Sequence, residues 1–326
     1  PTWPDGAGSS TRAYTSYFSP YVHLLLMPWF YLFLAAVCEV GWPVGMKLAA
    51  LHPSARILWI IFAIVTMALS GIFLFIAQKH IPIGTAYAIW TGIGAAATFL
   101  IGIVFCTLLG ILIEKIAYKP LRGASPLAVL ITAIGVSYLL QSLAQIIFGS
   151  APKMVTVYEF GAIKFLGATV QISALVTLAV ATVVMTALTL FVKYTRLGRA
   201  MIAVSEDKSA AQLMGINVNG IITITFAIGS ALAALAGLFY LLKSPSISST
   251  LGAMPGIKAF TAAVIGGIGS IPGAMLGGIL LGVVECISYK ITAIAPYTDA
   301  IEFSVLIIIL LVRPTGFLGK KRREKV

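Results

Sequence analysis

Charged residues are scarce in this chain. Only 10% of its 326 residues are Asp, Glu, Lys or Arg, whereas 60% are hydrophobic; soluble domains carry about 25% charged residues. Several apolar runs reach the roughly 18 residues that are needed to cross a hydrocarbon core of about 30 Å. The composition therefore predicts an all-α, polytopic helical membrane protein with about eight membrane segments, one of them interrupted by Gly and Pro.

Residue types that carry enzyme chemistry are few and scattered. The cysteines are Cys38, Cys106 and Cys286, and the histidines are His23, His52 and His80. The cysteines lie in apolar runs and are expected to be buried hydrophobic residues, and the histidines lack metal-ligand spacing. No Gly-x-x-x-x-Gly-Lys-Ser/Thr phosphate loop occurs, so any ATP hydrolysis must come from another polypeptide. We expect no enzyme activity, no cofactor and no metal site.

The net charge of +12 comes from few acids and from bases that are clustered between apolar runs. No soluble face carries the Lys and Arg that nucleic-acid binding requires, so the expected partner is membrane lipid. The clusters are Lys115, Lys119 and Arg122; Lys193, Arg196, Arg199 and Lys208; and the tail Lys320, Lys321, Arg322, Arg323 and Lys325. The positive-inside rule places all three in the cytoplasm. This predicts a multi-pass protein of a bacterial inner membrane with a cytoplasmic C-terminus.

Apolar runs predict the helix positions. They place helices at about 28–48, 56–77, 84–113, 126–148, 171–192, 220–242, 257–290 and 299–312. The run 84–113 would make about 45 Å of helix, half again what one span needs. We expect either a tilted helix that projects into the cytoplasm or a kink near Gly102. Residues 1–26 are expected to be a non-membrane leader or fragment, with Met27 as the natural start.

The run 257–290 must leave and return to the same side of the membrane. Its centre reads Gly266-Gly267-Ile268-Gly269-Ser270-Ile271-Pro272-Gly273, and Gly and Pro interrupt helices. Two short helices that meet at this turn are expected. The turn residues Gly266, Gly267, Gly269, Pro272 and Gly273 have two interpretations: a plain tight turn, or a turn that lines a translocation path.

Glu39 lies in the middle of the first predicted membrane helix. A carboxylate there costs about 2.5–3.5 kcal/mol on insertion scales, which makes it a candidate functional group. Burial favours its neutral form, so it could exchange a proton for a cation, as an antiporter requires. The alternative is an acid that reaches the interface or pairs with Lys47, two turns later.

Residues 27–104 resemble the small multidrug-resistance family, nearer its guanidinium-exporter branch. The string Gly84-Thr85-Ala86-Tyr87-Ala88-Ile89-Trp90-Thr91-Gly92-Ile93-Gly94 carries the resemblance. It implies a cation- and proton-binding site made of Glu39, Trp42, Ser70, Tyr87 and Trp90. In that site hydroxyls would orient the carboxylate and aromatic rings would wall a planar cation. The family pattern ends within the third helix, and no fourth helix of that type follows.

From about residue 100 to 326 the chain resembles the membrane subunit of branched-chain amino-acid ABC importers. The strings that carry it are residues 113–122, residues 193–217 and, the most specific, residues 256–274. The resemblance implies separate ATP-binding subunits, a second permease subunit and a periplasmic or extracellular amino-acid-binding protein. The Asn-Phe-Ala-His-Gly-like string with which such permeases begin does not occur. Lys258 and Glu285 could contact a zwitterion, but pairing with each other, or facing a helix partner, is the stronger expectation.

Residues 199–215 read as an amphipathic helix outside the membrane. Ala200, Val204, Ala211 and Met214 would share an apolar face, and Arg199, Glu206, Asp207 and Lys208 a charged one. Gly215, followed by Asn217, is a good helix stop. The resemblance makes this the helix that couples to the ATPase, with Arg199, Glu206, Asp207, Ala211 and Gly215 as its key residues.

We therefore predict three domains: the leader 1–26, the exporter-like helices 27–104 and the permease-like domain 105–326. The first functional hypothesis is the permease subunit of an ABC importer for branched-chain amino acids. The second is a proton-coupled exporter of guanidinium-like or quaternary cations. The third is an inactive chimera of two transporter genes, because each part lacks a piece of its own family.

Overall fold

The computed structural model describes residues 10–155, 161–165, 168–292 and 294–319. The chain divides into two compact units, Pro1–Phe105 and Cys106–Val326. Helix α3 (Ile83–Ile113) begins in the first unit and ends in the second. Residues 1–9 of the expected leader and the basic tail 320–326 lie outside the described residues.

The first unit is a helical hairpin with the start of α3. Helix α1 runs over Ser10–Leu51, and a 3₁₀ turn at Pro53–Ala55 leads to α2 (Arg56–Gln78). Two glycines let α1 approach α2 closely: a Cβ on Gly41 would lie 2.7 Å from Cγ2 of Thr66, and a Cβ on Gly45 2.9 Å from Cδ1 of Phe62. Its apolar core contains Leu32, Ala77, Ile81 and Ala86. The helix thus extends back into the expected leader, and Met27–Leu51 is long and apolar enough to cross a membrane.

Among its described residues, the second unit contains the remaining helices and four short strands. The helices are α4 (Pro126–Phe148), α5 (Ile172–Tyr194), α6 (Arg196–Glu206), α7 (Lys208–Leu213), α8 (Val218–Lys243), α9 (Ala253–Gly266), α10 (Ile271–Lys290) and α11 (Thr298–Val312). The strands are β1 (Lys153–Met154), β2 (Ala162–Phe165), β3 (Ala168–Gln171) and β4 (Ser246–Ile247). A 3₁₀ turn at Ala295–Tyr297 precedes α11.

Within the described residues, eight helices are long and apolar enough to cross a membrane. They confirm the prediction of an all-α, polytopic membrane protein. The overlong run is also present: α3 is α-helical without a break at Gly102. Its irregularity comes later, at a π-helical turn over Glu114–Tyr118 and a 3₁₀ turn over Lys119–Leu121. A kink near Gly102 was one of the two expectations, and the α-helix continues through that residue.

Two connections of the second unit meet at one end. Strand β1 pairs with β4 in antiparallel register, Met154 opposite Ser246, and so joins the connection after α4 to the connection after α8. Lys243, at the end of α8, also lies 3.9 Å from Glu285 near the end of α10. The connections after α4 and α8 therefore lie together with the end of α10.

The interrupted segment is a close helical hairpin, as predicted. Helix α9 ends at Gly266 and α10 starts at Ile271. A Cβ on Gly266 would lie 2.0 Å from the carbonyl oxygen of Gly273, and one on Gly277 would lie 2.1 Å from that of Ala262. Only glycine permits this backbone contact, so these residues set how closely α9 and α10 pack.

Candidate functional sites

Glu39 lies in a hydrogen-bonded cluster in the first unit. The Ser70 hydroxyl lies 3.0 Å from Oε2 of Glu39 and 2.9 Å from the carbonyl oxygen of Ala35, and both oxygens can accept its hydrogen. The indole N–H of Trp90 donates to the same Ser70 oxygen over 3.1 Å. Ser70 is 1% exposed, so its hydroxyl is fixed among these partners. Ser70 therefore links the carboxylate of Glu39 to the indole of Trp90.

The aromatic residues predicted for this site differ in their exposure. The ring of Tyr87 lies 5.3 Å from that of Trp90, tilted by 56°, and Tyr87 is exposed. Trp42 is half-buried and lies one helical turn after Glu39. A Cβ on Gly94 would lie 3.3 Å from Cγ of Glu39, so α3 passes close to the carboxylate. Glu39, Ser70 and Trp90 are thus brought together, with Tyr87 beside them.

The predicted coupling segment consists of two short helices. Asp207 has extended backbone angles, φ −153° and ψ 110°, and separates α6 from α7. Its Oδ1 accepts hydrogen bonds from the backbone N–H groups of Ser209 (2.9 Å) and Ala210 (3.0 Å), which caps α7. Gly215 has φ +79° and ends the segment, as predicted. Asn217 instead begins α8, because its side chain accepts from the N–H of Gly220 over 3.1 Å.

The apolar face of this pair packs on the start of α8. Val204 and Ala211 form a buried cluster with Ile221, and Ala200 packs against it. Met214 was expected on the same face, but it is 82% exposed. The break at Asp207 turns α7 relative to α6, so one helical periodicity does not continue to Met214. Arg199 and Glu206 are exposed, as predicted for the charged face.

An exposed apolar tip results at the end of α7. Leu213 is 89% exposed and the adjacent Met214 is 82% exposed. The tip lies on a pair of helices that the buried Val204–Ala211–Ile221 cluster fixes to the second unit. The tip is therefore an exposed apolar surface in a fixed position, suited to insertion into a groove on another subunit.

The glycine turn combines left-handed backbone conformations with hydrogen bonds to a later segment. Gly267 (φ +107°) and Gly269 (φ +90°) adopt left-handed backbone conformations that favour glycine. The backbone N–H groups of Phe317 and Leu318 donate to the carbonyl oxygens of Ile265 and Gly266, each over 2.9 Å. The segment after α11 thus pairs with the turn.

The remaining turn residues start α10. Ser270 caps α10 by accepting from the N–H of Gly273 over 3.2 Å, with Pro272 in the first turn. Gly266, Gly267 and Gly273 are buried in these contacts, whereas Ile268 and Gly269 form an exposed tip. The tight-turn interpretation accounts for the buried glycines, whereas Pro272 is exposed like the tip.

Sequence reasoning missed a buried ion pair at the end of α3. Glu114 is 0% exposed and pairs with Arg122, which also donates to Oδ1 of Asn219. Thr223 donates to Oε2 of Glu114 over 2.8 Å. The π-helical turn thereby attaches to the start of α8. Arg122 was expected in a cytoplasmic basic cluster, and that placement stays a prediction. Its pairing with Glu114 was not expected, although an acid at the end of an apolar run was an available signal.

A second charged cluster surrounds Lys258, on α9. Its Nζ lies 3.0 Å from Asp299, 3.2 Å from Glu302 and 3.9 Å from Glu285. The expected Lys258–Glu285 pairing is therefore present, although Glu285 is the most distant of the three acids. The two acids of α11 were missed, and the signal was again the presence of carboxylates in an apolar helix.

A cavity of about 790 Å³ lies along α5 and α8. Its middle is lined by aliphatic and aromatic side chains such as Leu178, Met185 and Phe239, and its polar lining, including Gln171 and Lys243, is concentrated towards one end. Its long apolar wall suits hydrocarbon, such as a lipid chain.

Comparison with known proteins is informative for both parts of the chain. The family described as "Branched-chain amino acid transport system / permease component" matches residues 56–310. The high-affinity branched-chain amino acid transport system permease protein BraD of Pseudomonas aeruginosa is 43% identical over 235 residues, 71% of this chain and 76% of BraD. The corresponding protein LivH of Escherichia coli is 42% identical over 236 residues, again 71% of this chain and 76% of LivH.

A shorter similarity concerns an exporter. The guanidinium exporter of Yersinia pestis is 45% identical over 78 residues, which are 24% of this chain and 73% of the exporter. Both resemblances seen in the sequence are therefore confirmed. No solved structure matches the chain significantly.

Proposed function

Because the chain belongs to the family of permease components of branched-chain amino acid transport systems, we propose that it is the membrane permease subunit of an ABC importer for such amino acids. The observation that carries the proposal is the match to BraD and LivH over about three quarters of their length. It is a multi-pass inner-membrane protein, and its relatives are transport components. Separate ATP-binding subunits, a second permease subunit and an amino-acid-binding protein complete the importer.

The α6–α7 pair is the contact with the ATP-binding subunits. Its exposed tip, Leu213 and Met214, enters a groove on an ATP-binding subunit, and the buried Val204–Ala211–Ile221 cluster transmits the displacement to α8. Arg199 and Glu206 are exposed on the same pair and set its orientation on the partner. In this arrangement the pair faces the cytoplasm, and so does the C-terminus.

The exposed tip of the glycine turn lines the inner end of the path. The segment after α11 is bonded to this turn, so a cytoplasmic C-terminus places Ile268 and Gly269 at the same side as the ATP-binding subunits. The buried glycines Gly266, Gly267 and Gly273 keep the hairpin narrow enough to hold that tip in place.

Replacement of the exposed tip tests the coupling contact. Met214→Ser, alone and with Leu213→Ser, should reduce co-purification of the ATP-binding subunits by tenfold or more, because central apolar contacts dominate interface affinity. Met154→Ser is the matched control, since Met154 is 79% exposed and belongs to the opposite end of the unit. Equal recovery of ATP-binding subunits with the Met214 and Met154 variants would refute this contact.

The hydrogen-bonded cluster of the first unit favours a second candidate function. Glu39, Ser70 and Trp90 form a carboxylate site beside the exposed ring of Tyr87, which suits proton-coupled export of guanidinium-like cations. Glu39→Gln should abolish guanidinium efflux that depends on a proton gradient, whereas Thr91→Ala, at an exposed position of α3, should preserve it. Efflux that persists in the Glu39 variant would exclude this function.

A further inference from the structure

Three of the chain's ten acidic residues converge on one lysine. Nζ of Lys258 lies 3.0 Å from Oδ1 of Asp299, 3.2 Å from Oε1 of Glu302 and 3.9 Å from Oε2 of Glu285. Three helices, α9, α10 and α11, contribute one or more of these side chains. These four residues are called the Lys258 cluster.

The Lys258 cluster carries more negative than positive charge. Three carboxylates surround a single ammonium group, and within the part of the chain that the structure describes Lys243 is the additional cation within 4 Å of them. Lys243 is 79% exposed and 3.9 Å from Glu285, so solvent weakens its contribution. Even with Lys243 counted in full, one negative charge remains. Acids in apolar helices normally pair with a cation or serve a ligand path.

One carboxylate oxygen inside the cluster lacks a partner. Glu302 is 1% exposed, and its side chain points to the cluster because Oε1 contacts Lys258. Within the described part of the chain, its other oxygen, Oε2, is buried without a hydrogen bond. A buried acceptor left unpaired costs about 1–3 kcal/mol, and more when it is charged. The site is therefore built to receive a hydrogen-bond donor that carries positive charge.

We propose that the Lys258 cluster binds the ammonium group of the transported amino acid, an inference that rests on the proposed importer function. Lys258 itself shows that an alkyl ammonium group fits among these carboxylates at 3.0–3.2 Å. An amino acid presents the same group, with three N–H donors for the remaining oxygens. Asp299 is 46% exposed and Glu285 26% exposed, which leaves an entrance, whereas Glu302 forms the buried floor.

The position of the cluster agrees with this role. Lys258, Glu285 and Asp299 belong to the end of the second unit that carries the β1–β4 pair, away from the α6–α7 pair. With the α6–α7 pair in the cytoplasm, the cluster faces the side from which an importer receives its substrate. The aliphatic side chain of the amino acid needs no charge there, so the cluster selects for the ammonium group.

Binding to the full chain in lipid nanodiscs tests the proposal. Labelled leucine is the probe, with 3-methylbutylamine, which lacks the carboxylate, and 4-methylpentanoate, which lacks the ammonium group, as competitors. We expect leucine binding that the amine displaces and the acid does not. Glu302→Gln and Asp299→Asn should each weaken leucine binding at least tenfold. Lys290→Gln, an exposed charge change on α10 outside the cluster, should leave binding within twofold.

The outcomes separate this inference from the proposed function. Displacement by 4-methylpentanoate as strong as by the amine, or no leucine binding to the unchanged chain, would overturn the inference. If Glu302→Gln fails to fold, Asp299→Asn at its half-exposed position and the competitor series still decide. If the amine binds in a manner that depends on the cluster but the chain supports no leucine uptake, the binding site would be supported and the importer function would be refuted. Leucine uptake with an unchanged KM in both acid variants would support the importer function and refute the binding site.

Discussion

Substitution by alanine at two glycines of α10, Gly277 and Gly282, should change the free energy of unfolding in opposite directions. A Cβ on Gly277 would lie 2.1 Å from the carbonyl oxygen of Ala262 in α9, where ordinary contact begins at 3.4 Å. Gly277→Ala therefore requires α9 and α10 to separate by about 1.3 Å at this point. Gly282 has open space at the same position, with nothing within 4 Å. Gly282→Ala adds a methyl group without displacing a helix.

The magnitudes follow from these contacts. Overpacking of a close contact costs about 1–3 kcal/mol, whereas alanine in place of glycine within a helix gains about 0.5–1 kcal/mol. Because the helical gain is common to both substitutions, the free energies of unfolding of the Gly277→Ala and Gly282→Ala variants should differ by the overpacking cost alone, about 1–3 kcal/mol. The assay is thermal unfolding of the full chain in nanodiscs, followed by tryptophan fluorescence and by protease resistance of the α9–α10 hairpin.

The two variants form a matched pair. They share a helix, a substitution and a membrane environment, so general effects of alanine cancel in their comparison. Equal unfolding midpoints, or a less stable Gly282→Ala variant, would show that the close approach of α9 to α10 does not determine the stability of this hairpin.

Three further predictions concern the polar contacts. Arg122→Met should lower the free energy of unfolding by about 3–5 kcal/mol, since it leaves Glu114 buried without its cation; Lys119→Met, at an exposed position, should change it by less than about 0.5 kcal/mol. Asp207→Ala should remove the cap of α7 at a cost of about 1 kcal/mol and speed amide hydrogen exchange in that helix, whereas unchanged exchange would contradict its capping role. Ser70→Ala should shift the tryptophan emission, because an indole N–H loses its acceptor, and an unchanged spectrum would contradict that bond.

Helix positions were predictable because the bilayer requires a minimum length of apolar sequence for each span. The expected runs 56–77 and 126–148 differ by no more than one residue from α2 and α4. The interruption at 267–270 was predictable for a related reason: Gly and Pro cannot continue a helix there. What the sequence could not indicate is which glycines touch backbone, since Gly277 and Gly282 look alike until α9 is placed.

The candidate sites were predictable only where neighbours lie close in sequence or follow a known pattern. The carboxylate–hydroxyl–indole cluster was expected from a family motif, although Ser70 and Glu39 are 31 residues apart. Met214 was misplaced because a helical periodicity was carried through Asp207, where the backbone leaves the helix. Glu114 and Thr223 are 109 residues apart, and no local pattern links them. The boundary near residue 105 between the two resemblances stays a prediction.

The central claim is tested most directly by leucine uptake. The full chain, expressed in Escherichia coli cells that lack their own LivH, should restore energy-dependent uptake of labelled leucine, with the host supplying the other subunits. Uptake should fall with the combined Leu213→Ser and Met214→Ser change and persist with Met154→Ser. A chain that reaches the membrane and co-purifies with the host ATP-binding subunits, yet gives no uptake above cells without it, would contradict the assignment as an importer permease.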